Sequence, residues 1–516
     1  MKGRRRTDMK RRLQCVALLL VITLLSGCFV GCGKKANSNK ANSTTDIEIL
    51  FWHSGYGKAW LDALIDAFEK KYPEYNVYYT ETANGGLYRN TLGMEDIDTI
   101  DLYLMPRGYD TTYLEPLDDV YDATIEGESK SLKEKFSREY LASERAEDGH
   151  YYYTTLGGGL EGIFYNKKMF EEAGIKQEPR TTDELALAAS TLKDQGVVPF
   201  GHFKTSGYWK YYSEVLFAQY EGIEAYQNFY KNPTKELMLT KDGRYEALKV
   251  YEKILGAQSV LPGSNSGTHT AMQTKFLEGS FAMMYNGCWL GIEMSASDKM
   301  ENFKMMRSPV ISSITDKLTT VKGESQLRKL ITAIDNVVDG VEDISKYQSG
   351  ANYVVDGKEI AASDWERVRE ARCMSSYGYL GQGSWIPKYS NAKEGAKEFL
   401  KFWFSDEGYK IYADAAHLTL PISLDEGEID TSNWTEVEKN NKDLLDKTSF
   451  GICGPSMVSK HKIFTYGGAQ AFAGQEYIQK FCASNQDDRL TADQLWKKIT
   501  TTIDEQYDDI WMANIQ

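Results

Sequence analysis

The chain of 516 residues has only six histidines, and none falls in an HExxH pattern or another paired spacing that would hold zinc. His53, His150, His202, His269, His417 and His461 are scattered, so no metal site is expected. Cysteine is scarce as well, with seven residues and no CxxC pair. With Cys15 and Cys28 set aside in the N-terminal segment, Cys32, Cys288, Cys373, Cys453 and Cys482 remain, and an odd number argues against a disulfide scaffold. Gly157-Gly158-Gly159 lacks the Gly-Lys-Ser/Thr of a phosphate loop, and no GxSxG elbow occurs. No basic run follows the first twelve residues, and a net charge of −14 repels nucleic acid and anionic substrates. A glycosidase pair of carboxylates is the enzymatic arrangement left open, because it is defined by separation in space. Neither enzymatic activity nor a cofactor is expected.

Only one hydrophobic run is long enough to engage a membrane, and it lies at the N-terminus. Lys2, Arg4, Arg5, Arg6, Lys10, Arg11 and Arg12 precede an apolar stretch from Val16 to Leu25. A basic flank, a short apolar run and small residues form a secretory signal, too short for a comfortable span. Leu25-Ser26-Gly27-Cys28 resembles a bacterial lipobox, which implies cleavage after residue 27 and a lipid anchor on Cys28. Phe29-Val30-Gly31-Cys32 is a poorer match. Residues 28–45, rich in Gly, Asn, Ser, Lys and Thr, read as a flexible tether. The rest would then work outside the cytoplasm, on the extracytoplasmic face of the cell membrane.

The remaining length exceeds one ordinary core, so two domains or lobes are expected. Aromatic residues are plentiful, with 34 Tyr, 20 Phe and 10 Trp, enough for cores and for ligand-facing rings. Ile47 to Trp52 reads as a strand, Lys58 to Lys71 as an amphipathic helix, and Val77-Tyr78-Tyr79 as a second strand. Strand, helix, strand is the βαβ signal of a parallel sheet. Asp101 to Met105, Tyr151 to Leu156 and Gly162 to Tyr165 read as further strands. Thr181-Thr182-Asp183-Glu184 has the spacing of a capping box at a helix start, as has Ser363-Asp364-Trp365-Glu366. The stretch of about 312–375 looks like an insertion between better-patterned segments.

Five motifs, in order, resemble the family 1 extracellular solute-binding proteins of ABC importers, the maltose-binding-protein-like group. They are Phe51-Trp52-His53-Ser54 with Lys71-Tyr72-Pro73-Glu74-Tyr75; Asp101-Leu102-Tyr103 through Leu114-Glu115-Pro116-Leu117-Asp118; Gly162 through Ile175 with Tyr165-Asn166-Lys167; Phe276-Leu277-Glu278-Gly279 through Gly287 and Trp289; and Ala396 through Trp403 with Ser405-Asp406-Glu407-Gly408. The likeness covers about residues 46–310 and 376–425. It implies an α/β fold of two lobes (the type II periplasmic-binding-protein-like arrangement), with mixed sheets flanked by helices and a hinge between them. It assigns residues 46–157 and 309–418 to lobe 1, with the insertion, and 158–308 and 419–516 to lobe 2. It further implies a monomer that captures a carbohydrate and delivers it to ABC permease subunits. At position 159, where some maltose-type members carry an acidic sugar ligand, this chain has Gly, which puts maltose itself in doubt.

Sugars present hydroxyls that need donors and acceptors, and C–H faces that lie well on aromatic rings. Trp289 stands in the fourth motif, where the family places a ring against its ligand. Trp209, in Tyr208-Trp209-Lys210-Tyr211-Tyr212, lies where the family's second-lobe helix meets the cleft, and Trp385 follows a Gly-containing loop. Trp52, His53 and Ser54 end the first strand, and Arg107 and Tyr109 follow the third; ligands of open α/β sheets collect at such carboxyl ends. Each of these has a bland alternative as a core or surface residue. Two other functions fit the same features: a secreted glycan hydrolase, and a sensory or adhesive lipoprotein that does not transport.

Overall fold

The computed structural model describes residues 44–515 except 53–54, 83–98, 108–110, 147, 205–207, 257–258, 296, 379–381, 453–478 and 484. Cys28, His53, Ser54 and Tyr109 therefore lie outside the described residues. Strand β1 (Thr45–Phe51) buries Ile47, Ile49, Leu50 and Phe51 and pairs in parallel with β2 (Tyr75–Glu81) and β3 (Leu102–Pro106). The helix Ala59–Lys71 links β1 to β2 and buries Trp60, Leu61, Leu64, Ile65 and Phe68, the spacing of one helical face. Its Trp60 stacks on Trp403 from the helix Lys393–Phe404, with ring centroids 5.0 Å apart. Short strand β4 (Thr154–Thr155) closes this first run.

Next comes β5 (Gly159–Asn166), buried along its whole length, which opens a second sheet. It pairs antiparallel with β7 (Met283–Gly287) and β8 (Phe303–Met305), while β6 (Phe200–Gly201) lies parallel to β7. The helices Thr182–Asp194, Trp209–Glu221 and Gly243–Leu255 share one apolar core with Ile163, Met283 and Tyr285 of this sheet. At Thr181 half of the capping box forms, the side chain accepting from the Glu184 N–H at 3.1 Å, while the Glu184 carboxylate accepts from the Arg180 N–H rather than from Thr181.

Residues 312–375 were expected with the first lobe, but they pack on the second. The helix Glu324–Val338 buries Leu327, Leu330, Ile331 and Ile334 in the core that holds Trp209 and Tyr285. Outside it runs an antiparallel meander of β9 (Gln348–Ser349), β10 (Asn352–Val355) and β11 (Lys358–Ile360). Tyr353 of β10 stacks on Trp365 of the helix Ala362–Arg372, centroids 4.4 Å apart. That helix starts at Ala362, so Ser363 does not cap it. Asp364 instead accepts from the backbone N–H groups of Thr319, Thr320 and Val321, which fastens the insertion's entry to its exit. An amphipathic helix must bury its apolar face, and Val310, Ile311 and Ile314 lead it into the second core.

The chain then forms β12 (Met374–Gly378), antiparallel to β5, and enters the first sheet at β13 (Gln382–Trp385), antiparallel to β3 and β4. A boundary at 309 is thus replaced by one between β12 and β13. Strand β14 (Phe450–Ile452) lies parallel to β12. The first sheet has the order β2-β1-β3-β13-β4; the second has β14-β12-β5-β7-β6, with β8 on β5. Both are mixed sheets flanked by helices.

Candidate ligand-binding site

The lobes are joined where β4 runs into β5, between β12 and β13, and between the helix Asp406–Ala416 of the first lobe and β14 of the second. Gly157, in the first of these crossings, has φ +147, a conformation that side-chain-bearing residues rarely adopt. A Cβ there would come 2.2 Å from the Tyr412 hydroxyl, which donates to the Leu156 carbonyl at 2.6 Å. The crossing is therefore pinned to the first-lobe helix Asp406–Ala416.

Above the crossings the two lobes meet around Trp289. Gly55, in the loop after β1, lies so close that a Cβ would approach the Trp289 Cβ to 2.7 Å. Tyr56 of the first lobe and Tyr208 of the second meet the Trp289 ring edge-on, with centroids 5.9 and 5.4 Å away. The indole N–H donates to the Tyr208 hydroxyl, whose own proton is held more tightly because the group is buried. Trp289 is 7% exposed, and its ring folds back over Gly287, the last residue of β7.

Gly287 sits in a row that explains the rest of the floor. On the second sheet it is directly opposite Glu161 of β5, which is in turn opposite Ser376 of β12. Residues opposite each other in a ladder project from the same face. The Glu161 carboxyl, the Ser376 hydroxyl and, in the space a side chain at Gly287 would fill, the Trp289 ring thus share one face. Ser376 donates to Glu161 at 2.8 Å. Burial pushes the Glu161 carboxyl up to about 8, opposed by the Ser376 hydrogen bond and the attraction of Lys210. Burial lowers the Lys210 ammonium, and Glu161 raises it. Beside Tyr208, His269 meets the Phe203 ring edge-on at 4.9 Å, and Gln273 donates to Glu293 at 2.6 Å. The seam therefore offers a ring, a carboxyl, an ammonium, hydroxyls and an amide, the donor and acceptor mixture that a polyhydroxylated molecule requires. Among the described residues no group of three or more His, Cys, Asp or Glu is placed to hold a metal ion.

The other sequence candidates lie elsewhere. Trp209 is fully buried among Phe200, Tyr212, Tyr251 and Tyr285, so it is a core residue of the second lobe; its chain neighbours Tyr208 and Lys210 reach the seam. Trp385 is not in a loop but in β13, 1% exposed and stacked parallel on Tyr103 with centroids 5.6 Å apart. Trp52, half-buried, packs against that same cluster. Arg107 is committed to Glu144, bonding one carboxylate oxygen at 2.6 Å and the other more closely. It also donates to the carbonyls of Gln382 and Thr154, so it works as a strut between β3, β13 and β4. Glu161, Ser376, Tyr56, Tyr208, Lys210 and His269 were missed. For Glu161 a signal existed: a carboxylate inside the apolar strand Leu160 to Tyr165 either has a task or should not be there.

Two α/β lobes joined by crossing strands, with polar and aromatic groups gathered at the seam, define a hinged binding protein. The chain belongs to the bacterial extracellular solute-binding protein family, whose model matches residues 54–313. Among its relatives, an ABC transporter extracellular-binding protein of Pyrococcus horikoshii is 26% identical over 233 residues, 42% of this chain and 51% of that protein. The multiple sugar-binding protein of Streptococcus mutans is 27% identical over 195 residues, 37% of this chain and 44% of that protein. The chain thus spans about half the length of these curated relatives. A receptor of Streptomyces glaucescens, solved unliganded and with acarbose, superposes with a TM-score of 0.58 at 17% identity, covering 90% of this chain and 98% of that one. The fold is the type II periplasmic-binding-protein arrangement.

Proposed function

We propose that this solute-binding protein captures a carbohydrate, an oligosaccharide in particular, at the seam around Trp289 and hands it to the permease subunits of an ABC transporter. The observation that carries this reading is the row of Glu161, Gly287 and Ser376 with the Trp289 ring folded over it. A carboxyl and a hydroxyl beside an aromatic face match the hydroxyls and C–H surface of a sugar ring. The names of the relatives, a sugar-binding protein and an ABC transporter binding protein, support the same ligand class and partner. Lipid on Cys28, with the tether behind it, would hold the receptor at the extracytoplasmic face of the membrane. No helix among the described residues is long and apolar enough to cross a membrane. The protein acts by binding as a monomer, without chemistry on its ligand and without a cofactor.

Isothermal titration of the purified protein with maltotriose, raffinose, xylobiose and mannobiose, followed by chromatography of the recovered sugar, tests this. Saturable binding of at least one sugar, recovered intact, is expected. Shortened products would identify a hydrolase, and binding of none would remove the carbohydrate reading.

A further inference from the structure

His202, 1% exposed, follows β6 and holds its Nδ1 3.0 Å from the Phe203 carbonyl oxygen. A carbonyl only accepts, so Nδ1 carries the ring proton and Nε2 presents a lone pair. Burial lowers the imidazole from its ordinary value, which keeps the ring neutral and able to bind a cation at Nε2. Facing that lone pair at 3.5 Å is the Cys482 sulfur, from a stretch 280 residues further along the chain. Asn265 Oδ1 stands 3.7 Å from the same sulfur, and the amide also reaches the His202 ring.

These spacings are those of ligand atoms around one ion. A tetrahedral zinc(II) holds sulfur at about 2.3 Å and nitrogen or oxygen at about 2.0–2.2 Å, which places neighbouring ligand atoms about 3.6 Å apart. An ion near the centre of the three atoms takes the place of the thiol proton and needs no cavity of its own. The frame around it is fixed. The His202 backbone N–H donates to Ser264 Oγ at 3.5 Å, in the short helical turn Ser264–Ser266 that carries Asn265. On either side of Cys482, the Gln479 side chain donates to the Lys204 carbonyl, and Arg489 Nε to the Ala483 carbonyl at 2.7 Å. Cys482 itself is only half-buried, so an ion enters from its side.

We propose that Cys482, His202 and Asn265 form a site for a divalent transition-metal ion of the zinc type, apart from the seam around Trp289. A thiolate with an imidazole favours borderline and soft cations over calcium or magnesium, which take oxygen shells. Binding exchanges the Cys482 S–H bond for a metal–sulfur bond and releases the proton to water. Burial pushes the thiol up to about 11, so affinity rises with pH across the neutral range. The ion fastens the segment around Cys482 to the second lobe beside Phe203 and takes no part in ligand chemistry.

The full-length protein in detergent micelles, stripped with chelator and kept reduced with a phosphine, is titrated with cobalt(II), a coloured stand-in for zinc(II). The expected result is a near-ultraviolet thiolate-to-cobalt band that saturates with one ion per chain and is abolished by zinc(II). Cys482→Ser, which keeps the side chain's size and a hydroxyl for His202, should remove the band. His202→Gln should raise the half-saturating concentration at least about tenfold. In the wild type that concentration should fall about tenfold per pH unit between about pH 6 and about pH 8, the mark of one released proton. Should His202→Gln not fold, the pH slope and the Cys482→Ser titration decide. No thiolate band means that the thiol is hydrogen-bonded only. The same band in Cys482→Ser means that other cysteines hold the ion, and equal affinity in His202→Gln or a flat pH profile means that the imidazole or the thiolate is not a ligand. Any of these results overturns the proposal.

Discussion

Truncating Trp289 to alanine removes the ring that lies over the Glu161 row and touches Tyr56 and Tyr208 across the seam. Sugar affinity should fall by roughly 1–3 kcal/mol, the area term of one ring face plus its geometric preference. Calorimetric titration reads the affinity and urea denaturation of the unliganded protein reads the stability. Unchanged affinity with a loss of about 3–5 kcal/mol of stability would make Trp289 a core residue only. Arg107 carries the opposite expectation. Its partner Glu144 is 1% exposed, and Arg107→Ala would leave that carboxylate buried and unpaired. A loss of roughly 3–5 kcal/mol in urea denaturation is expected, with any sugar that still binds doing so at near wild-type affinity. A stable Arg107→Ala protein with weakened binding would return Arg107 to the ligand site.

Among the elements, β5 and β12 lie side by side, each next to a crossing between the lobes, and Glu161 with Ser376 bonds one to the other. The Glu161 carboxyl stands at about 8 in the folded protein, so the folded state keeps a proton that the unfolded chain gives up above its ordinary value of 4.5. Stability from this group is therefore greatest at low pH and is lost as pH rises through that window. Glu161→Gln, neutral throughout, should lose less. Relative to it, the wild type should weaken by roughly 1–4 kcal/mol between about pH 5 and about pH 8. Urea midpoints of both proteins across that range check this, and parallel curves would contradict it. Glu214, also raised by burial, to about 7, is present in both proteins and cancels.

The same strands show what the sequence could reveal. The βαβ unit at residues 45–81 was legible because its helix has one continuous apolar face and its strands are apolar runs. The insertion was visible as a break in pattern, but not its lobe. Which core the face of Leu327, Leu330, Ile331 and Ile334 meets depends on contacts with residues far away in sequence. Trp209 and Trp385 illustrate the same limit, since a tryptophan in a helix or strand reads alike whether its ring meets a ligand or Tyr285 and Tyr103. The Gly287–Glu161–Ser376 row depends on strand register between Glu161 and two partners each more than a hundred residues away, and no local pattern encodes that.

At the scale of the whole molecule, the account is a pair of lobes that meet at Gly55 and Trp289 and close on a carbohydrate. Adding one methyl group at Gly55 would force it against the Trp289 side chain, so Gly55→Ala should hinder closure while leaving each lobe's core intact. Its affinity for sugar should fall about tenfold or more, with melting temperature in the absence of sugar little changed. Equal affinity in the two proteins would show that the lobes do not need to meet there. The most direct test is small-angle X-ray scattering of the wild-type protein with and without the panel sugar that binds most tightly. Hinge closure predicts a smaller radius of gyration at saturating sugar, and an unchanged radius with sugar bound would contradict the closing, two-lobed receptor.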